Sequence, residues 1–377
     1  MKAEKNITIF MVAGEVSGDM YGALLARALY RINPHLIIYG IGGEKMQEAG
    51  VRLILNSLSI SVVGFTELFS KIGKIIATFK AVKKFIIQNK PSVVVLIDYP
   101  GFNLRLARII KREKIPVIYY VSPQVWAWRK KRAGTLISRV DRLVVILPFE
   151  KDWYHKEGYY NVDYFGHPLV EILKNHKDKE EIEKGKSIVG ILPGSRYSEI
   201  KRILPVMLKT AKLIRTGNKV RFVLPLAPGI KESSLSRYLK KSNVKIEIYK
   251  KGSLPVIKSA DLILVASGTA TLEASYFQTP MIVIYKISFF SYLLARILVR
   301  TPWIGLVNLI AGENIAPEFI QWKAKPRKIA KIAMDYLKDK KKVEEVKKKL
   351  LSVKEKIEGE NTSIKVARVI LDFCKER

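Results

Sequence analysis

The chain has 377 residues, with 67 Lys and Arg against 34 Asp and Glu, and a formal net charge of +33. This length exceeds one ordinary hydrophobic core and predicts two domains. The single cysteine, Cys374, excludes a disulfide framework, and the four histidines lack the spacing of a zinc site. We therefore expect no metal and no cofactor. The charge favours polyanionic partners without choosing among nucleic acid, anionic lipid and phosphorylated substrates.

The chain opens on a pattern that predicts a strand and not an export signal. Ile7–Ala13 is a short apolar run that leads into a Gly-Glu turn. No run reaches the ~18 apolar residues of a membrane-spanning helix. The nearest candidate, Met281–Val299, is interrupted by Lys286 and Arg296. We expect a cytoplasmic protein that touches a membrane from one side at most.

Short β-branched runs alternate with helical patterns along the chain, which predicts parallel sheets with helices on both faces. The predicted class is α/β, with two doubly wound, Rossmann-like domains that face a cleft. The expected strands are Ile7–Val12, Leu36–Ile41, Ser92–Ile97, Pro116–Tyr120, Leu143–Ile146, Ser187–Leu192, Val220–Leu224, Val244–Ile248, Leu262–Val265 and Met281–Ile284.

Charge and turn residues predict the domain boundaries. Residues 174–186 are almost wholly charged and follow Pro168, as in a linker. We expect an N-terminal domain over 1–173 and a C-terminal domain over 187–340. Residues 341–377 are predicted to be helical, and one option is that they return to the N-terminal domain.

Two motifs of the first half follow predicted strands. Gly14–Asp19 can bring backbone N–H groups to an anion at a helix N-terminus, or it can be a tight turn capped by Ser17 or Asp19; the two interpretations are even. Asp98 ends a strand, where an acid faces the ligand crevice and can act as a general base. The alternative is a helix cap, and we favour the base.

The segment 119–132 places two tryptophans beside four cations. Aromatic rings can stack on a sugar, and cations can hold a phosphate. The alternatives are core aromatics before a solvated basic helix, or a nucleic-acid surface. The candidate acceptor-binding residues here are Ser122, Trp126, Trp128 and Arg129.

Two loops of the second half also link a strand to a helix. Each can hold a diphosphate through backbone donors, and Arg196 can add a bidentate contact. Glu273, about a turn into the second helix, can accept hydrogen bonds from ribose hydroxyls. The alternative in both cases is an ordinary capped turn. The candidate donor-binding residues are Gly194, Ser195, Arg196, Ser267, Gly268, Thr269 and Glu273.

Residues 61–90 combine apolar residues with interleaved lysines, and no acid lies between Glu67 and Asp98. A basic amphipathic helix suits an anionic membrane interface. A core-facing helix with a solvated lysine face is an even alternative. The candidate docking residues are Phe65, Leu68, Phe69, Lys71, Ile72 and Lys74.

Taken in order, the motifs resemble those of the lipid-A-disaccharide synthase family of Gram-negative bacteria along nearly the whole chain. The YVSP, WAWR and KR elements of one segment are the most specific. The matching segments are AGEVSGD from Ala13, IGGEKMQEAG from Ile41, VVGFTEL from Val62, IDYPGFN from Ile97, YVSPQVWAWRKKR from Tyr120, LPFE from Leu147, FGHP from Phe165, LPGSR from Leu192, ASGTATLE from Ala266 and NLIAGENIAPEFIQ from Asn308.

The resemblance implies a GT-B-type fold and an inverting glycosyl transfer. The implied donor is UDP-2,3-diacylglucosamine, and the implied acceptor is lipid X, which is 2,3-diacylglucosamine 1-phosphate. The implied product is the β-1′,6-linked disaccharide 1-phosphate, released with UDP. The expected partners are these two lipids and an anionic membrane surface, with a homodimer as a further expectation and no nucleic acid. The implied location is the inner face of the inner membrane, as a peripheral protein.

The resemblance also implies roles for individual residues. Asp98 matches the family's proposed base, and Arg196 matches the basic residue suited to the diphosphate. Glu273 matches the acid that such folds place on the ribose, and Gly101 stands where many members carry a second acid. The remaining matches, to positions of the cleft, are Glu15, Ser17 and Asn308, of which Glu15 is a catalytic candidate and Asn308 a donor-site candidate.

Two other functions compete with this one. Another GT-B enzyme, such as a UDP-N-acetylglucosamine transferase or 2-epimerase, would explain the 266–273 loop but not the 121–132 segment. A nucleic-acid-binding protein without enzymatic activity would explain only the charge, and the sequence has none of the recognition motifs of that class.

Overall fold

The computed structural model describes residues 7–56, 68–128, 131–175, 182, 185–215, 220–299 and 301–375. The chain divides into two compact units. Unit 1 comprises Met1–Ile172 with Ile357–Arg377, and unit 2 comprises Leu173–Lys356. Across these described ranges, no helix is both long enough and apolar enough to cross a bilayer.

Unit 1 contains a fully parallel seven-stranded sheet in the order β3-β2-β1-β4-β5-β6-β7. Its central strands are buried end to end, as expected for a parallel sheet covered on both faces. The strands are β1 (Thr8–Ala13), β2 (Ile37–Gly42), β3 (Arg52–Asn56), β4 (Val93–Ile97), β5 (Val117–Tyr120), β6 (Arg142–Val145) and β7 (Val162–Tyr164).

Helices connect these strands and cover both faces of the sheet, forming two buried clusters of apolar side chains. They are α1 (Val16–Ile32), α2 (Glu44–Glu48), α3 (Leu68–Asn89), α4 (Pro100–Arg112), α5 (Val125–Trp128), α6 (Lys131–Ile137), α7 (Pro148–Lys156) and α8 (Leu169–Asn175).

Unit 2 repeats the same winding with six parallel strands in the order β10-β9-β8-β11-β12-β13. The strands are β8 (Ser187–Leu192), β9 (Val220–Pro225), β10 (Ile246–Tyr249), β11 (Leu262–Ala266), β12 (Met281–Tyr285) and β13 (Glu318–Ile320). The helices are α9 (Tyr197–Arg215), α10 (Glu232–Ser242), α11 (Leu254–Ser259), α12 (Ala270–Tyr276), α13 (Phe289–Leu298), α14 (Leu306–Ala311), α15 (Pro326–Lys338) and α16 (Lys340–Ile357).

The last helix, α17 (Thr362–Lys375), belongs to unit 1, whereas α16 lies almost wholly in unit 2. α17 packs on α1, and its buried side chains join the same apolar cluster as β1 and β4. The predicted linker at 174–186 begins in the last residues of α8, and most of its length lies outside the described residues.

The chain re-enters unit 1 through a close contact between two glycines. Gly166 has a φ of +104°, and a Cβ on Gly359 would lie 2.0 Å from the carbonyl oxygen of Phe165. Thr362 Oγ1 donates to the same carbonyl at 2.9 Å, and the backbone N–H of His167 donates to the carbonyl of Ile357 at 2.8 Å. The FGHP motif therefore anchors the returning chain.

All ten predicted strands are present, with bounds that differ by at most a few residues. Three further strands were missed. β7 and β13 have only three residues each, too few for a periodic pattern, and β3 is an edge strand with exposed ends. Short or edge strands are specified by their neighbours more than by their own residues.

The structure tests the even choice between membrane and core for residues 61–90 only over the C-terminal part of α3. Its C-terminal part packs on the core through Ile75, Phe79, Val82, Phe85 and Ile86, as a core-facing helix would. The candidate docking residues lie elsewhere: Phe65 is outside the described residues, and so are the side chains of Leu68, Phe69, Lys71, Ile72 and Lys74.

Gly359→Ala tests the contact that returns the chain to unit 1. The added methyl group cannot fit beside the Phe165 carbonyl, so the free energy of unfolding should fall by about 1–3 kcal/mol. Denaturant unfolding measures this. Gly134→Ala is the control, because nothing lies within 4 Å of its added Cβ. Equal stability of the two variants would contradict the assignment.

Candidate functional site

In unit 1, the strand order reverses between β1 and β4, where ligands of open parallel sheets bind. Ala13 pairs with Ile97 in the register of these strands. Gly14 and Asp98, the next residues of each strand, therefore leave the sheet at the same edge. The two motifs selected from the first half of the sequence thus meet at one point of unit 1.

The backbone at the end of β4 is left-handed at two successive residues, with φ of 47° at Asp98 and 49° at Tyr99. Such conformations cost roughly 1–3 kcal/mol each outside glycine and persist only where surrounding structure holds them. Asn103 Nδ2 and Tyr119 Oη both donate to the carbonyl oxygen of Asp98, at 2.7 and 2.6 Å. These two hydrogen bonds fix the direction in which the Asp98 side chain leaves the strand.

Asp98 is half-buried. α4 begins at Pro100 with Tyr99 as its N-cap residue, and the Tyr99 side chain makes no capping hydrogen bond. Asp98 therefore precedes the N-cap residue of α4, and its role as a base stays a prediction.

Tyr99 connects the two motifs physically. A Cβ on Gly14 would lie 2.3 Å from Cγ of the Tyr99 ring, so only glycine fits at this position. The ring also stacks on Phe102 at 5.5 Å. Burial, followed by the negative charge of Glu15, raises the pKa of the Tyr99 phenol. Glu15, the N-cap residue of α1, thus lies near the phenol and close to the end of β4.

Asp19 has a structural role that the sequence did not reveal. It is buried, and its carboxylate accepts hydrogen bonds from the backbone N–H groups of Gly43, Lys45 and Met46 at 2.7–3.1 Å. It therefore caps α2 and not its own helix. Ser17 is half-buried in the first turn of α1.

The aromatic segment after β5 is tied into the interior of unit 1. Ser122 is buried, with its Oγ 2.6 Å from Tyr154 Oη. Trp126 Nε1 donates to Glu150 Oε1 at 2.9 Å, and its ring packs edge-on against Phe149. Ser122 and Trp126 therefore position the loop. The other two candidates, Arg129 and the side chain of Trp128, lie outside the described residues.

Glu150 is 1% exposed and is the third residue of α7. Its other oxygen, Oε2, accepts from the backbone N–H groups of Ile146 and Leu147 at 3.2 and 3.0 Å. Burial raises the pKa of Glu150 to about 7, although its three hydrogen bonds act in the opposite direction; the Asp98 charge raises the pKa further. A carboxyl of this kind changes charge near neutral pH.

In unit 2 the strand order reverses between β8 and β11, and Leu192 pairs with Val265 in the register of those strands. The two loops selected from the second half of the sequence follow directly. The first contains Gly194, with a φ of +107°; a Cβ there would lie 2.5 Å from Glu199 Oε2. Ser195 and Arg196 are exposed, and Arg196 Nη1 lies 3.5 Å from Glu199 Oε1.

The second loop is held by hydrogen bonds from its own hydroxyl groups. Ser267 Oγ donates to the Ile304 carbonyl at 3.0 Å, and Thr271 Oγ1 donates to the Gly268 carbonyl at 2.8 Å. Thr269 precedes α12 and makes no side-chain capping bond. Glu273 lies 3.4 Å from Ser253 Oγ, and burial raises its pKa to about 7.

Asn308, the remaining donor-site candidate, is fully buried. Its Nδ2 donates to the Ala316 carbonyl at 2.7 Å and to Glu318 Oε1 at 2.8 Å, and its Oδ1 accepts from the Ala316 N–H at 2.9 Å. Glu318 also accepts from the N–H groups of Ile304 and Gly305. Asn308 therefore fixes the loop on which Ser267 rests.

Sequence reasoning missed several residues of these edges: Tyr99, Asn103, Tyr119, Glu150 and Glu318. Their contacts are long-range or depend on an unusual backbone, and neither leaves a periodic signal. Only Glu150 had a local signal, as an acid three residues after Leu147 at the start of a helix. Among the described residues, no group of three or more His, Cys, Asp or Glu could hold a metal ion.

Comparison with known proteins identifies the family. The model of the family described as lipid-A-disaccharide synthetase matches residues 9–370, which include both pairs of strand-end loops. The chain belongs to this family. The lipid-A-disaccharide synthase of Syntrophus aciditrophicus is 43% identical over 85% of this chain and 86% of its own. That of Geobacter sulfurreducens is 38% identical over 97% of each chain.

Solved structures with low sequence identity share the fold of this lipid-A-disaccharide synthase family member. A putative UDP-N-acetylglucosamine 2-epimerase from Listeria monocytogenes has a TM-score of 0.69 at 11% identity, covering 99% of this chain and 98% of its own. The glycotransferase of kitacinnamycin has a TM-score of 0.68 at 12% identity, covering 98% and 100%. The fold is the GT-B type, and family membership makes the chain a glycosyltransferase of lipid A biosynthesis.

Glu150 makes the stability of unit 1 depend on pH. Its pKa is 4.5 before burial and about 7 in the folded protein. The folded state therefore holds the proton more tightly, and the stability gained below pH 4.5 is lost as the pH rises through 7. Between pH 5 and pH 8, Glu150→Gln should gain roughly 2.5 kcal/mol in free energy of unfolding relative to wild type.

Denaturant unfolding at several pH values measures this difference. Comparison with wild type cancels the pH dependence of other groups, including buried His167, whose pKa is lowered to about 3. Glu113→Gln, at an exposed position, should show no such trend. If the difference in free energy of unfolding between Glu150→Gln and wild type did not change with pH, folding would not raise the pKa of Glu150.

Proposed function

We propose that this glycosyltransferase joins two acylated sugars. The donor is UDP-2,3-diacylglucosamine, the acceptor is lipid X, and the products are the β-1′,6-linked disaccharide 1-phosphate and UDP. The observation that carries the proposal is the family match over residues 9–370, which includes every strand-end loop described above. We assign the acceptor to unit 1 and the nucleotide to unit 2.

The chemistry requires a base and a group that stabilises the leaving diphosphate. The 6-hydroxyl oxygen of the acceptor forms a bond to the anomeric carbon of the donor, and the bond from that carbon to the UDP oxygen breaks. Because the attack comes from the opposite face, an α-linked donor gives a β-linked product. The hydroxyl proton leaves to a carboxylate, and the bonding electrons leave with UDP.

We assign the base to Asp98. Its support is its place at the end of β4 and the two hydrogen bonds that hold its backbone. Glu15, beside Tyr99 at the same edge, is assigned to orient the acceptor, together with half-buried Ser17. Ser122 and Trp126 are assigned to position the loop after β5.

We assign the diphosphate to the Gly194–Arg196 loop and to Ser267, Gly268 and Thr269. The exposed guanidinium of Arg196 can offset the charge that develops on UDP, and the backbone donors at the start of α9 face the same anion. Glu273 is assigned to the ribose hydroxyls. Asn308 acts through the loop that it fixes and does not touch the nucleotide.

Two lipid substrates require access to a bilayer. We therefore propose a cytoplasmic enzyme that binds peripherally to the inner face of the inner membrane, with anionic lipid as a partner. A homodimer also remains a prediction. The family match removes the support for the alternatives of another UDP-sugar enzyme and of a nucleic-acid-binding protein.

Asp98→Asn tests both the reaction and the base. The wild-type protein should release UDP and disaccharide phosphate from the two proposed lipids, and the variant should lose kcat by about 10²–10⁴-fold. The fold should survive, because the contacts that hold this turn involve the backbone carbonyl of Asp98. Asp152→Asn, at an exposed position of unit 1, is the control.

The two failures are distinct. A folded wild-type protein without turnover would refute the substrates, whereas normal turnover by Asp98→Asn would refute only the base.

Uridine binding tests the role of Glu273. Because uridine carries no phosphate, no phosphate group titrates in the pH range of the experiment. The ionised carboxylate accepts hydrogen bonds from two ribose hydroxyls better than the neutral acid does. Because burial raises the pKa of Glu273 to about 7, uridine affinity should rise between pH 6 and pH 8, by up to about tenfold. Glu273→Gln should remove this dependence, and 2′,3′-dideoxyuridine should show none with the wild type. Calorimetry that finds equal pH trends for both nucleosides would contradict the assignment.

A further inference from the structure

Unit 2 carries an exposed aromatic surface that the reaction chemistry does not use. On α13, Phe289 is 60% exposed and Leu293 is 52% exposed, and Trp322 is 63% exposed on a neighbouring turn. The Trp322 ring packs edge-on against Phe289 at 6.2 Å and against Tyr292 at 5.0 Å. We call these four side chains the aromatic patch. Large apolar groups that cluster in solvent mark an interaction surface.

The fold builds this patch from two different segments. Phe289, Tyr292 and Leu293 lie on one face of α13, because residues three and four positions apart share a helix face. Trp322 follows Gln321, whose backbone is left-handed with a φ of 50°. The Gln321 side chain is buried, and its Nε2 donates to the Ile287 carbonyl at 3.1 Å, just before α13. The exposed Trp322 is therefore held in place by a buried neighbour.

The patch lies at the carboxyl edge of the unit 2 sheet. α13 follows β12, and Trp322 follows β13, the next parallel strand. The loops assigned to the nucleotide follow β8 and β11 at the same edge. The segment after α13 also contacts the Ser267 loop, since Ser267 Oγ donates to the Ile304 carbonyl. An occupant of the patch would thus lie on the donor side of the sheet.

The charge around the patch is positive. No acid occurs between Glu273 and Glu313, or between Glu318 and Asp335. Arg296, one further turn along the patch face of α13, is exposed, and so is Lys323 beside Trp322. Tryptophan and tyrosine are the residues that prefer the boundary between lipid and water, and flanking cations favour anionic head groups.

From this combination we propose that the aromatic patch of unit 2 docks on an anionic lipid bilayer, beside the site that takes the donor. The proposal rests on the proposed function, in which the donor carries acyl chains. The patch inserts Phe289, Leu293 and Trp322 at the level of the head groups. Arg296 and Lys323 contact lipid phosphates. Unit 2 therefore has its own membrane contact, independent of residues 65–74 in the N-terminal part.

Vesicles of phosphatidylglycerol and phosphatidylethanolamine test the proposal. The full chain with Phe289, Leu293 and Trp322 replaced together by Ser should lose about tenfold or more of its vesicle partitioning. UDP affinity and thermal stability should stay at wild-type values, because these side chains are largely exposed. The control replaces Tyr160 and Leu351, which are exposed elsewhere, by Ser and should bind vesicles normally.

A second measurement follows Trp322 directly. Brominated lipid in the same vesicles should quench part of the wild-type tryptophan fluorescence, and Trp322→Phe should remove that part. Arg296→Gln should weaken binding at low salt and have less effect at high salt, where charges are screened. Vesicles of phosphatidylcholine alone should bind the protein more weakly.

Unchanged partitioning of the triple variant, or unquenched Trp322, would overturn the proposal. A second outcome would also overturn it: the wild type is a dimer, the triple variant is a monomer, and both bind vesicles equally. The patch would then contact a second copy of the chain. Turnover of detergent-dispersed substrates by wild type tests the proposed function separately. Its absence would refute that function whatever the vesicles show.

Discussion

Two hydrogen bonds to one carbonyl oxygen are the constraint on which the unit 1 site depends. Asn103 and Tyr119 both donate to the Asp98 carbonyl and hold two successive residues in a left-handed backbone. That backbone turns the chain from β4 into α4 and places the Tyr99 ring against Gly14. The AGEVSGD and IDYPGFN motifs therefore depend on each other. The Tyr99 ring fits against β1 because Gly14 has no Cβ, and the Asn103 and Tyr119 donors hold the left-handed turn.

The two units build the turns at their strand ends from different residue types. Both sheets reverse strand order at their centre and carry their loops at the carboxyl edge. Unit 2 uses glycines with positive φ, Gly194 and Gly268, where the left-handed region carries little strain. Unit 1 uses Asp98 and Tyr99, which can adopt it only under restraint. A general base must be positioned accurately beside the attacking hydroxyl group, whereas a diphosphate is held by many hydrogen-bond donors. The rigid turn is on the side that we assign to the base.

The fold was predictable because its signal is repetitive. Buried strands such as Val93–Ile97 are continuous apolar runs, and each is followed by turn chemistry. The strand-end loops were predictable for the same reason, since parallel strands deliver their ends to one edge. Individual roles were less accessible. Asn308 and Ser122 read as polar site residues, but both are buried and bonded to distant groups. A motif marks a constrained position without saying whether ligand or protein imposes the constraint.

The return of α17 to unit 1 also determines the order in which the protein can fold during synthesis. Unit 2 is a continuous stretch, Leu173–Lys356, and is complete before the last helix leaves the ribosome. Unit 1 is made first but finished last, because Val366 and Ile370 of α17 fill the same cluster as α1. Until α17 has been synthesised, the part of α1 that it covers in the folded unit stays exposed, and transiently exposed apolar surface of this kind is prone to aggregation.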